Sequence, residues 1–129
     1  MSTRIYLIED FFGAQTFRQQ DPVTLRRNAD GINSIYISAK DCLYPMIHVL
    51  VNGDKAVIHY FESEETAGFL SQNNSRKNIT RLETFFENES GTEIKFPAEA
   101  VVNHKAAEKA AGEFVRRNEL PECLEWLEL

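Results

Sequence analysis

The chain has 129 residues, 43% hydrophobic and 26% charged, and a formal net charge of −6. That length favours one domain, residues 1–129, with a core large enough to need no metal or disulfide staple. The acidic balance argues against direct nucleic-acid binding, which requires basic patches on phosphate, and suits a partner of opposite charge.

The first residues, Met1 to Tyr6, lack the apolar core of a secretory signal. No apolar run approaches the roughly 20 residues needed to span a bilayer, so cytoplasmic residence without membrane contact is expected. Ile5-Tyr6-Leu7-Ile8 is β-branched and aromatic and reads as an edge or second-rank strand. Asp21-Pro22, an acidic cap followed by proline, predicts a short helix that ends near the Asp30-Gly31 turn. Ser34 to Ser38 alternates polar and apolar residues, the pattern of a half-buried strand.

Met46–Val51 and Ala56–Phe61 flank Asn52-Gly53-Asp54-Lys55 and predict a hairpin. Asn-Gly favours a type I′ turn and Gly-Asp a type II′ turn, and either puts Ile47, Val49, Val51, Ala56, Ile58 and Tyr60 on one core face. His48, Leu50, Val57, His59 and Phe61 take the other face. Gly68 to Ser71 reads as a further short strand, and Asn73 to Asn78 as a polar connection. Arg81–Phe86 and Thr92–Phe96, around Glu87 to Gly91, read as a second hairpin. A helix is predicted from Asn103, with Ala107, Ala111, Phe114 and Val115 as its buried stripe and Asn118 as its end. Leu120, Leu124 and Trp126 then fold back on the core. The fold class is α+β: an antiparallel sheet of about five to seven strands, a short helix in the N-terminal half and a C-terminal helix packed on it.

Reactive chemistry is sparsely represented. His48 and His59 become cross-strand neighbours if the turn is Gly53-Asp54. They can be read as a metal pair or as two strand histidines, and no further ligand follows at zinc spacing. Cys42 and Cys123 are too few for a disulfide framework and are expected as thiols. Cys42 with His48 has no motif of an activated nucleophile around it. Neither common glycine-rich phosphate loop occurs. Trp126 suits a cover for the sheet edge or an interface anchor. No cofactor and no metal is expected.

Gly53, Ala56-Val57-Ile58-His59-Tyr60-Phe61 and Gly68-Phe69-Leu70-Ser71 resemble the central hairpin and following turn of the bacterial polymorphic-toxin immunity proteins, immunity protein family one. Ala107, Ala111, Glu113, Phe114, Leu120-Pro121 and Leu124-Glu125-Trp126 resemble that family's closing pattern. The similarity covers roughly residues 46–128. It implies a non-enzymatic inhibitor that occludes the active site of a secreted or contact-delivered toxin, several of the family's toxins being deaminase-like. The expected partner is one cognate toxin domain, and the expected state is a monomer or a 1:1 complex with that toxin. The family carries over no contact residues. Loop position and charge nominate Glu62, Glu64, Glu65, Phe69, Glu87 and Glu89. The competing reading is a small-molecule-binding or enzymatic domain with a pocket near His48 and His59.

Overall fold

The computed structural model describes residues 4–129. It is a strongly antiparallel assembly. Strands β1 (Ile5–Asp10) and β2 (Gly13–Arg18) form a hairpin. Strands β3 (Ile32–Ala39), β4 (Cys42–Asn52) and β5 (Lys55–Phe61) follow as a meander. Then come β6 (Phe69–Gln72), a second hairpin of β7 (Leu82–Phe86) and β8 (Glu93–Pro97), the short β9 (Val102–Asn103), helix α1 (His104–Arg117) and β10 (Glu125–Glu128). The main sheet runs β10-β6-β5-β4-β3-β1-β2, and β9 shares the outer side of β5 with β6.

Two expectations are corrected. The predicted five to seven strands fall short: among the described residues the main sheet has eight, and β7–β8 forms a separate two-stranded sheet. The predicted N-terminal-half helix does not form, and residues 22–28 are irregular. The reason is a competition for hydrogen bonds. Asp21 turns backward and accepts from the Arg18 amide instead of capping forward. The Leu25 amide donates to the Glu108 carboxylate of α1, and the Leu25 carbonyl bonds the His104 ring. These long-range partners leave no i→i−4 ladder, and the segment becomes a strap across the helix.

The central hairpin pairs Asn52 with Lys55, so the tight turn is Gly53-Asp54. Gly53 has φ +62°, which a residue without Cβ adopts at little cost. In this register Ile47, Val49, Val51, Ala56, Ile58 and Tyr60 all join the core under α1. The helix contributes Ala107, Ala110, Ala111, Phe114 and Val115, as its spacing demands. Asn103 caps its start by accepting from the Ala106 amide, and Asn118 ends it in the left-handed conformation at φ +54°.

The opposite face of the sheet has a smaller cover. Hairpin β7–β8 presses Phe85 onto Leu50, Val57 and Leu70, with Ala100 and Val101 alongside. Glu83 pins it further, its side chain 11% exposed and bonded by Lys55, Arg76 and Arg81 at 2.8–2.9 Å. The Lys55 hydrogen bond, aided by Arg81, holds that carboxyl below the usual carboxylate range.

Candidate functional site

Glu62, Glu64 and Glu65 lie exposed in the turn between β5 and β6. The turn is tied back by His59, whose Nε2 donates to the Ala67 carbonyl at 2.7 Å. Gly68 closes it at φ +84°, where an added Cβ would sit 2.3 Å from the Tyr60 carbonyl oxygen. Phe69 follows on the helix side of the sheet, half-buried, its ring 6.1 Å from that of Tyr60. It therefore does not share a face with His48 and His59.

Glu87 and Glu89 are exposed in the β7–β8 loop, which Asn88 orders through bonds to Thr92 and Ser90. With Glu9, Asp10, Phe11, Ser34, Asn88 and Tyr36 they line a hollow of about 310 Å³. The structure thus joins the second acidic loop to two acids of β1 that sequence reasoning did not nominate. Asp10 is already occupied: it accepts from the Phe12 amide and the Asn33 side chain, and Arg26 lies 3.8 Å away. Glu9, Glu87 and Glu89 have no ion-pair partner among the described residues.

Tyr36 was missed as well. It is the one exposed residue of β3, at 44%, on a strand otherwise buried throughout. The signal was present in the alternation Ser34-Ile35-Tyr36-Ile37-Ser38, which puts Tyr36 on the face opposite the isoleucines. Its ring stacks on His48 at 4.0 Å between centroids and 4° between planes. Across the strand pair, His59 stacks on Phe61 at 4.0 Å. His48 and His59 are direct register partners, so these rings form a band across β3, β4 and β5. Burial and the Glu87 carboxylate raise the Tyr36 hydroxyl above its ordinary pKa.

The histidines act as structural members of this band. His48 Nε2 shares a 2.8 Å hydrogen bond with the Ser34 hydroxyl. Burial, then the neighbouring His59, lowers the His48 pKa to about 4. The unfolded chain therefore binds a proton at His48 in the window from about 6.5 down to 4 where the fold does not. Stability from this group is complete above that window and falls with pH through it, by about 3 kcal/mol in all. Denaturant unfolding at pH 7 and pH 4.5 checks this. His48→Gln is expected to show a shallower loss over that interval by about 2 kcal/mol. Equal slopes in the two proteins would mean that His48 titrates as in water.

Among the described residues no group of three or more His, Cys, Asp or Glu side chains could hold a metal ion. Cys42 is exposed, and an irregularity in the β3–β4 ladder separates it from the regular stretch of β4 that carries His48. Burial, then Glu113, pushes the half-buried Cys123 thiol up, away from the reactive thiolate. Trp126 is half-buried on the core and donates from Nε1 to the Pro121 carbonyl at 2.7 Å. No helix among the described residues is long and apolar enough to cross a membrane.

The second acidic loop and the Tyr36–His48 stack adjoin on one face of the sheet. Comparison with known proteins supplies its context. The sequence model of the family described as immunity protein Imm1 matches residues 15–128. No curated protein matches the chain. Because the match extends over nearly all of its length, the chain belongs to the Imm1 immunity protein family.

Proposed function

We propose that this chain is the immunity partner of one bacterial toxin, secreted or delivered by contact, and that it neutralises the toxin by occluding its active site. Membership of the Imm1 family is the observation that carries this reading. The residue resemblance described above extends it to a deaminase-like toxin. Such a toxin acts on nucleic acid or nucleotide and needs a basic surface around its active site. A protein of net charge −6 approaches such a surface with favourable long-range attraction, which raises the encounter rate.

In this reading the chain performs no reaction and needs no cofactor. It works as a single cytoplasmic domain, a monomer that forms a 1:1 complex. Glu62, Glu64 and Glu65 in the β5–β6 turn and Glu87 and Glu89 in the β7–β8 loop supply acidic contacts, and Phe69 an apolar one at the sheet's helix side. The competing reading, a small-molecule pocket near His48 and His59, has less support. Both rings are taken up by stacking and by hydrogen bonds to Ser34 and Ala67.

Co-expression with the toxin encoded beside the gene is the test. Growth is expected to recover when this protein is present and to fail when it is absent. Continued killing despite soluble expression would overturn the reading.

A further inference from the structure

The two faces of the main sheet are covered unequally. Helix α1 and the strap before β3 close one face. On the other, hairpin β7–β8 seats Phe85 on Leu50, Val57 and Leu70, and its loop extends as far as the hollow beside Tyr36. Beyond it stands a patch that none of the described residues covers. Tyr36 and Leu43 are 44% and 57% exposed, and Leu7, Met46 and Phe61 around them are half-buried. A shallow cavity of about 220 Å³ runs between Leu7, Glu9, Tyr36, Ser38, Leu43 and Met46. The acidic hollow of about 310 Å³ opens on the other side of the same Tyr36 ring.

Three properties distinguish this patch from scattered surface hydrophobes. It is contiguous and lies on inner strands of the sheet, β1, β3, β4 and β5, where side chains are normally covered. Its central ring is held flat on His48, which is itself held by Ser34, so the ring is in place before any partner arrives. Its rim is acidic, with Glu9, Glu87 and Glu89 free of ion-pair partners among the described residues. Interface anchors have this character: a rigid aromatic at the centre of a patch, with charge around it.

We infer that this uncovered face is where the toxin docks, with Tyr36 as its central anchor and Glu9, Glu87 and Glu89 receiving a lysine or arginine side chain in the hollow beside it. The inference rests on the toxin-neutralising reading above and names the surface for it. Charge selects the occupant. A second copy of this chain, seated across a twofold axis, would set the same carboxylates against one another. A basic protein surface meets them with opposite charge. Glu62 follows Phe61 at one border of the patch and His59 holds Ala67 of the same turn, whereas Phe69 lies on the opposite face, outside this surface.

The test uses the full chain and the purified toxin domain encoded beside its gene, with binding kinetics and growth protection read in parallel. Tyr36→Ala is expected to weaken binding by about 30-fold or more, mainly through faster dissociation. The double variant Glu9→Lys, Glu87→Lys alters exposed side chains and keeps the fold. It is expected to slow association by about tenfold or more at low salt. Lys105→Glu with Lys109→Glu, on the far side of the molecule, should bind as the wild type does. If Tyr36→Ala fails to fold, the double glutamate variant decides.

Wild-type protection together with both patch variants binding within about twofold of wild type would overturn the docking surface and leave the neutralising function standing. Failure of the wild type itself to bind or protect would remove both. A wild-type dimer in sedimentation that Tyr36→Ala splits would assign the face to a second copy and overturn the inference.

Discussion

Phe114→Ala is expected to cost about 3–5 kcal/mol, a large share of the stability of a domain this size. The ring is completely buried, with Tyr6 and Tyr60 packed edge-on at centroid distances of 6.3 and 6.2 Å. The helix makes this position decisive. Its other core residues are Ala107, Ala110, Ala111 and Val115, small side chains that let the backbone lie close to the sheet. Phe114 is therefore the one large wedge that α1 drives into the core. Its removal leaves a cavity that alanines cannot fill and that β4 and β5, paired on both sides, cannot collapse into. Two edge-to-face contacts are lost as well, each worth about 0.5–1.5 kcal/mol. Urea unfolding of the wild type and variant measures the effect. A loss under about 1 kcal/mol would place Phe114 at the surface and undo the packing described here.

Phe85→Ala acts on the other face and should behave differently. Phe85 is completely buried among Leu50, Val57, Leu70, Ala100 and Val101, with Phe96 edge-on at 6.0 Å. A loss of about 3 kcal/mol is expected, at the low end for a buried phenylalanine, because a two-stranded hairpin can shift to fill the space. The loss should also be local. Hydrogen exchange is expected to quicken through β7 and β8 while β3, β4 and β5 keep their protection. The two phenylalanines lie in separate clusters on opposite faces, so their effects should add in the double variant. Unchanged exchange in the hairpin of Phe85→Ala would mean that Glu83 and its three cations hold the hairpin alone.

The hairpin also positions the β7–β8 loop. Glu87 and Glu89 reach the hollow beside Tyr36 because Phe85, two residues earlier, is seated on Leu50 and Val57. Loosening that seat should weaken toxin protection without unfolding the protein.

Much of the architecture follows from short-range chemistry. Asn103, the alanine stripe, Phe114 and Asn118 all lie within one helix and define it without help from elsewhere. The β4–β5 hairpin is similarly local, and its alternation names the core face in either turn. Between Asn-Gly and Gly-Asp the sequence is ambivalent, and the register was settled by pairing across the strands. Strand β2 was illegible because it is an edge strand with Phe17 as its only partly buried side chain, which leaves no alternation to read. Strands β9 and β10 are two and four residues long, below the length at which a period shows.

The same division holds for the site. Acidic loops are visible in a sequence because charge and turn residues are local, and Glu87 and Glu89 were nominated for the proposed surface that way. Glu9, Tyr36, Leu43 and Met46 were not, since each reads as an ordinary strand residue. Whether a strand side chain is buried depends on what lies over the sheet, a matter of contacts between residues far apart in the chain. Residues 22–28 show the same effect in reverse. Their local signals favour a helix, but Glu108 and His104 take the hydrogen bonds of Leu25. Neighbours in sequence specify which elements form and which way they face. Covering and uncovering those faces belongs to the packed whole, because burial is a property of three-dimensional proximity that no local pattern encodes.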